Sequence, residues 1–209
     1  MNKRIICMLL VLVLALGLCA CGGEKAEQAE QAEEAPVYTY LEPGQKLRHA
    51  EITIRDYGTV KVELDEGVAP ITVENFVALA KEGFYDGLTF HRIIDGFMIQ
   101  GGDPQGDGFG GSGRTIKGEF EENGIKNPIS HVKGVISMAR GDELDSASSQ
   151  FFITVADSVF LDGHYAAFGK VTEGMGVVSR IAKEAQPIDN NGTIPPEAQP
   201  VIESIVITD

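Results

Sequence analysis

Residues 90–103, FHRIIDGFMIQGGD, decide the fold and raise the question of function. Asp95-Gly96 is a strong two-residue hairpin signal, so the segments on either side of it are predicted to be neighbouring antiparallel strands. In the second strand Met98 and Gln100 lie two residues apart and therefore share a face. An arginine, an amide and bulky apolar side chains are thus brought together. Taken alone, the stretch also fits an ordinary edge hairpin with a solvated arginine.

Outward from this hairpin, the chain alternates short apolar runs with glycine-rich turns. Two alternating runs, Ala50–Asp56 and Thr59–Asp65, flank Tyr57-Gly58 and predict another hairpin. The remaining predicted elements are strands at 88–94, 96–100, 134–138, 150–155, 167–171 and 201–207 and helices at 71–82 and 174–185. Because closure removes exposed edges, this pattern predicts a mainly β fold, a closed eight-stranded antiparallel barrel with two capping helices. A β-sandwich is compatible with the same pattern.

Composition excludes several classes of function. The formal net charge of −14 argues against a nucleic-acid partner, because an acidic chain repels the phosphate backbone. All three cysteines lie within the first 21 residues, so the rest of the chain has no disulfide and no cysteine metal site. The four histidines have no metal-ligand spacing, and no metal is predicted.

The N-terminal residues have the pattern of a targeting signal. Residues 1–20 carry two positive charges followed by an apolar run, which predicts a secretory signal peptide. The sequence LCAC at Leu18–Cys21 resembles the bacterial lipobox, which implies cleavage before Cys21 and attachment of lipid to its sulfur. Two or more acyl chains anchor a protein stably, so we expect an extracytoplasmic protein tethered to the bacterial membrane. A plain signal peptide or an uncleaved anchor is the alternative.

Four segments follow from these patterns. Residues 1–20 are the lipoprotein signal peptide, and residues 21–36 are the lipidated cysteine with an acidic low-complexity linker that cannot bury an apolar face. Residues 37–49 form an N-terminal extension of open role. Residues 50–209 form the folded domain.

A glycine-rich stretch at residues 108–115, GFGGSGRT, matches the spacing of a phosphate-binding loop except for its arginine. No apolar strand leads into it and no helical pattern follows, so it lacks the context that presents a helix N-terminus to a phosphate. We interpret it as a flexible glycine loop.

Residues 134–171 repeat the mixture of amide and aromatic residues found in the opening hairpin. The motifs FHRIIDGFMIQGGD, SMAR…SQFFI and LDG…FGKV occur in this order, and the chain from about Ala50 to Thr208 resembles the cyclophilin family of peptidyl-prolyl cis–trans isomerases, closely its bacterial branch. The resemblance implies a cyclophilin-like barrel that rotates Xaa–Pro bonds. It also implies a monomer whose partners are proline-containing peptides and unfolded exported proteins.

The reaction that the resemblance implies breaks no bond, so it requires no nucleophile, metal or cofactor. Its barrier is about 18–20 kcal/mol, and the catalyst need only bind the twisted imide better than either planar form. The family's catalytic arginine corresponds to Arg92, a rigid cationic donor for the proline nitrogen. Gln100 corresponds to the amide that holds the substrate backbone.

The residues implied for substrate binding fall into three groups. They are the apolar pocket for the proline ring, the backbone segment that pairs with the peptide, and the groove with its rim. The pocket consists of Phe97, Met98, Phe152 and Leu161, the backbone segment of Ala139 and Arg140, and the groove and rim of Gln150, Phe160 and Tyr165. Three of them depart from the family pattern. Phe160 replaces a tryptophan that contacts cyclosporin, so weakened cyclosporin binding is expected. Tyr165 stands at the place of a histidine, and Arg140 stands where asparagine is usual.

Two other readings remain at this point. One is a non-catalytic proline-peptide binding module, and the other is a structural surface lipoprotein. A residue that donates to a transient lone pair favours the enzyme, because a binding module has no need of it.

Overall fold

The computed structural model describes residues 46–209. Cys21, the predicted signal peptide and linker, and most of the 37–49 extension lie outside these residues. Within the described range, the eight strands are β1 (Leu47–Ile54), β2 (Gly58–Asp65), β3 (Thr89–Ile94), β4 (Met98–Asp103), β5 (Val135–Met138), β6 (Phe151–Thr154), β7 (Ala167–Glu173) and β8 (Ile202–Ile207). The two α-helices are α1 (Pro70–Lys81) and α2 (Met175–Glu184). The eight strands and two helices predicted from the sequence are therefore confirmed.

All eight strands belong to one antiparallel sheet with the order β3-β4-β6-β5-β7-β2-β1-β8, which excludes the sandwich. The sheet curls into a half-barrel. Closure into a complete barrel is not confirmed, because β3 and β8 are the two edges and form no ladder with each other. They meet through the isolated bridge Thr89–Val201 and through backbone hydrogen bonds such as Ile202 N–H to Leu88 C=O, at 2.7 Å.

The first strand begins earlier than the alternation of residues predicts. β1 starts at Leu47 rather than at residue 50. Pairing with β2 explains the difference, since Leu47, Arg48 and His49 lie opposite Asp65, Leu64 and Glu63. On its other side, His49 accepts a hydrogen bond from the N–H of Thr208 at 3.0 Å and donates one to the carboxylate of Asp209 at 2.6 Å. Strand pairing therefore extends β1 beyond the residues whose alternation predicts it.

The inner face of the sheet holds the main core. Phe76 of α1 stacks against three buried aromatic rings at centroid distances of 5.2–5.4 Å, namely those of Tyr85, Phe151 and Phe168. The start of α1 is fixed by the buried carboxylate of Glu119, which accepts hydrogen bonds from the N–H groups of Ile71 and Thr72 at 3.0 and 2.8 Å. Neither described helix has the length and apolar character that a bilayer-spanning helix needs.

Because side chains alternate along a strand, β4 and β6 also present an outer face. Ile99 and Ile153 point into the main core, whereas Met98 and Phe152 belong to a second, smaller apolar cluster. The outer face of these central strands therefore carries its own cluster, and the candidate site is built there.

Candidate active site

The site begins with a row of side chains across three neighbouring strands. In the sheet register Arg92 of β3 is opposite Gln100 of β4, and Gln100 is opposite Phe152 of β6. Directly opposed side chains on one face lie about 4.5–5.5 Å apart at Cβ. The strand order thus brings a guanidinium, an amide and an aromatic ring side by side.

A chain of hydrogen bonds holds the polar members of this row. The guanidinium of Arg92 donates through Nη1 to Gln100 Oε1 at 3.1 Å and through Nε to the carbonyl of Asn191 at 2.8 Å. Gln100 Nε2 donates to Gln150 Oε1 at 2.8 Å. Each side chain is therefore fixed by the next, while the amide nitrogen of Gln100 keeps a second N–H.

Arg92 is half-buried beside this network. Burial lowers its pKa from the ordinary value, and the nearby Tyr165 and Asp189 act in the opposite direction. An arginine in a protein stays cationic at neutral pH. The site therefore presents a permanent positive charge that is partly shielded from water, which strengthens its interaction with a developing lone pair.

Beside the guanidinium lies an apolar cavity of about 310 Å³. Met98, Phe152 and Leu161 are buried in its wall and pack with Phe97 and Tyr165. The ring of Tyr165 meets the ring of Phe152 edge-on at 5.9 Å. The cavity thus combines a flat hydrophobic wall with a cationic donor at one side.

The structure places nine of the eleven predicted site residues around this cavity: Arg92, Phe97, Met98, Gln100, Ala139, Arg140, Phe152, Leu161 and Tyr165. Gln150 lines a neighbouring cleft of about 380 Å³ instead. Phe160 lies at the rim, 67% exposed, with its ring 5.5 Å from that of Phe97. In the described part of the chain, no group of three or more histidine, cysteine or acidic residues is arranged to hold a metal ion.

Comparison with known proteins agrees with this geometry. The family model described as cyclophilin type peptidyl-prolyl cis-trans isomerase/CLD matches residues 49–207. A peptidyl-prolyl cis-trans isomerase of Helicobacter pylori is 45% identical over 150 residues, which cover 70% of this chain and 89% of the relative. Peptidyl-prolyl cis-trans isomerase B of Bacillus subtilis is 49% identical over 122 residues, covering 58% of this chain and 82% of the relative.

The chain belongs to the cyclophilin family. A solved cyclophilin of Cryptosporidium parvum superposes with a TM-score of 0.69 at 31% identity, covering 78% of this chain and 99% of that one. A second structure from the same organism, obtained in the presence of the dipeptide Ala-Pro, superposes with a TM-score of 0.67 at 32% identity and covers 77% and 99% of the two chains.

Arg140 does more in this cyclophilin than the backbone contact that the sequence suggests. Its guanidinium lies over the rings of Phe120 and Tyr165, at 5.0 and 5.1 Å from their centroids. Its Nε donates to the carbonyl of His164 at 2.9 Å. The N–H of the preceding Ala139 is already bonded to the carbonyl of Gln150 at 2.9 Å. The arginine side chain therefore braces the Tyr165 wall of the cavity.

A buried polar group lies behind Phe152 in the same apolar wall. The ring of His131 stacks on Phe152 at 5.9 Å, and its two nitrogens lie 2.8 Å from Asp162 Oδ1 and 2.9 Å from Ser137 Oγ. Burial lowers the pKa of His131, partly offset by the Asp162 carboxylate. The three side chains resemble a hydrolase triad, but Ser137 is fully buried and cannot meet a substrate. Asp162 and Ser137 therefore fix the His131 ring, which packs against Phe152.

Sequence reasoning missed several lining residues: His91, Asp107, Phe109, Asn191 and Thr193. His91 is buried beside Arg92, and burial lowers its pKa. The sequence pattern of residues 108–115 predicts a flexible glycine loop. In the structure this loop lines both the cavity beside Arg92 and the neighbouring cleft. Only its position after the FHRIIDGFMIQGGD motif could have signalled this, because its own residues carry no periodicity.

Proposed function

We propose that this cyclophilin-type isomerase works outside the cytoplasm, anchored to a bacterial membrane through lipid on Cys21, and accelerates rotation of Xaa–Pro bonds in exported proteins. The observation that carries the chemistry is the half-buried guanidinium of Arg92 beside an apolar cavity. We also propose that the protein belongs to the bacterial branch of the family, which the motifs FHRIIDGFMIQGGD, SMAR…SQFFI and LDG…FGKV resemble.

Rotation requires the imide to lose its resonance, which leaves a lone pair on the proline nitrogen. Arg92 lies where it can donate a charged hydrogen bond to that lone pair, which does not exist in either planar form. A hydrogen bond made only in the transition state raises kcat rather than merely improving substrate binding. A charge-assisted bond of this kind contributes about 1.5–3 kcal/mol.

The remaining residues position the substrate. The apolar wall of Phe152, Met98 and Leu161 accommodates a proline ring and excludes water from one side of the bond. Gln100 is held by Arg92 and Gln150 through its oxygen and one N–H, so its second N–H can bond the substrate backbone. We also propose that the protein acts as a monomer.

The first test measures turnover by the full-length protein in detergent micelles. NMR exchange spectroscopy on a short Xaa–Pro peptide reports cis–trans exchange at equilibrium, and titration of the same peptide reports its affinity. Faster exchange supports the isomerase. Peptide binding without faster exchange by a folded protein would instead favour the proline-peptide binding module.

The anchor has a separate test with a matched control inside the lipobox-like sequence. Cells that produce the protein are labelled with a radioactive fatty acid, for the native chain, for Cys21→Ala and for Cys19→Ala. We expect Cys21→Ala to abolish both labelling and the association with membranes, and Cys19→Ala to retain them. Equal labelling of both variants, or of neither, would refute lipid attachment at Cys21.

A further inference from the structure

Phe109 is a large apolar side chain that the fold leaves 91% exposed. A single exposed apolar residue is ordinary on a protein surface, so its position decides whether it matters. It lies in the run GFGGSG at residues 108–113, where every neighbour is glycine or serine. No other residue of this run has a large side chain.

The glycines on the C-terminal side of Phe109 have a structural explanation. A Cβ at Gly110 would lie 2.0 Å from Asp103 Oδ1, and a Cβ at Gly111 would lie 2.7 Å from Ser148 Oγ. Close packing therefore requires glycine at both positions. The phenylalanine ring has no such explanation, because it is almost entirely exposed and does not belong to the core.

The backbone on both sides of Phe109 is nevertheless held in place. Gln150 Nε2 donates to the carbonyls of Gly108 and Gly110, at 3.0 and 2.9 Å, and these two residues flank the phenylalanine. The N–H of Phe109 donates to the carboxylate of Asp107 at 2.9 Å. Gln150 also accepts from Gln100, so the loop is fixed to the same network that holds Arg92.

Phe109 lies where the two cavities meet. It lines both the apolar cavity beside Arg92 and the neighbouring cleft, and both are also lined by Ala139. The ring of Phe109 therefore borders the space beside Arg92 and the neighbouring cleft at the same time. Much of the second cleft is glycine backbone and polar side chains such as Ser146 and Ser148. Phe109 is the one aromatic residue among those that line it.

We propose that Phe109 is a specificity-determining residue, whose ring contacts an apolar side chain of the substrate lying in the second cleft while the proline occupies the first. The inference rests on the proposed function and names its substrate class. This class is Xaa–Pro peptides with an aliphatic or aromatic residue a few positions from the proline. Hydrogen bonds fix the backbone of the loop before a peptide binds, so binding does not carry the entropic cost of ordering the loop. The ring can therefore discriminate between apolar and polar substrate side chains.

The test uses peptides with one proline in which a single flanking position, up to three residues on either side, is Ala, Leu or Glu. Both kcat/KM and peptide affinity are measured for the full-length protein, for Phe109→Ala, for Phe109→Leu and for the control Val206→Ala. Val206 is also an exposed apolar residue, but it lies on β8.

At one flanking position we expect the native protein to prefer Leu over Ala roughly threefold to tenfold, the range of one apolar contact to an aromatic ring. Phe109→Ala should lose that preference in both kcat/KM and affinity. Phe109→Leu should keep most of it, because leucine is also a large apolar residue. Val206→Ala should show the same preference as the native protein.

A native protein without any preference, or a Phe109→Ala variant that keeps it, would overturn the proposal. Absence of turnover on every peptide would count against the proposed function alone, because the affinities still report the preference.

Discussion

Replacement of Arg92 tests the chemistry most directly, because its guanidinium makes two separable kinds of contact. Nε is committed to the carbonyl of Asn191 and Nη1 to Gln100, at 2.8 and 3.1 Å, so the group is held before substrate arrives. Its remaining N–H groups are available to the proline nitrogen. Arg92→Ala removes the donor, and Arg92→Lys keeps the charge but not the planar fork.

The magnitude follows from one charged hydrogen bond in the transition state. Such a bond contributes about 1.5–3 kcal/mol, and preorganised donors in catalytic sites contribute about 2.7–4 kcal/mol. At 1.36 kcal/mol for each factor of ten, Arg92→Ala should lower kcat/KM by roughly tenfold to a thousandfold. The kcat/KM of Arg92→Lys should lie between the values of the native protein and of Arg92→Ala. A lysine ammonium cannot bond Asn191, Gln100 and the substrate in the same geometry as a guanidinium.

The assay is NMR exchange spectroscopy on an Xaa–Pro peptide, with peptide affinity measured in parallel and folding checked by thermal unfolding. A fall in turnover that exceeds the change in affinity identifies transition-state stabilisation. Arg180→Lys is the matched control, since Arg180 lies on α2 and stacks over Tyr57 instead. If folded Arg92→Ala keeps kcat/KM within about threefold of the native value, the reasoning about Arg92 is refuted.

Four further predictions concern stability and inhibition. Gly169→Ala should lower the free energy of unfolding by about 1–3 kcal/mol, since the added Cβ would lie 2.2 Å from a backbone oxygen of β2. Gly176→Ala is the control and should be tolerated, because its Cβ would meet no atom within 4 Å. Equal melting temperatures of the two variants would contradict this prediction. Glu119→Gln should cost about 1.5–3 kcal/mol in urea unfolding, because a neutral amide replaces the carboxylate that caps α1, and an unchanged midpoint would argue against it. Burial lowers the pKa of His131, so the unfolded chain binds more protons and stability should decline as pH falls from about 6.5; a flat melting temperature from pH 7 to 5 would contradict this. Phe160→Trp should raise cyclosporin affinity in a binding titration, and no gain would contradict the expectation that Phe160 weakens cyclosporin binding.

The strands and helices of this protein were largely predictable from local sequence patterns. The hairpin at Asp95-Gly96 was predictable because a tight turn needs a residue that tolerates a positive φ, and Gly96 has a φ of 78°. Its loop nevertheless contains three residues, 95–97, rather than two, since Ile94 pairs with Met98. The helices were predictable from apolar spacing, and α1 and α2 each lie within a residue of the predicted bounds. Ordered motifs also indicated the side chains of the apolar wall and of the Arg92–Gln100 pair, because those residues lie on regular strands or adjoin them. They did not indicate the loop residues Phe109, Asn191 and Thr193, which also line the cavity.

The arrangement of these elements, by contrast, depends on contacts between distant parts of the chain. The strand order placed β6 between β4 and β5, and it could not be read from local patterns, since pairing depends on distant segments. Asn191 holds Arg92 through its backbone carbonyl. Because every residue type has this carbonyl, the identity of residue 191 could not have predicted the contact. The same holds for Phe109, whose place between two cavities depends on carbonyl contacts made by Gln150 from across the fold. Residue types in the sequence therefore indicated the chemistry, and long-range backbone contacts determined its geometry.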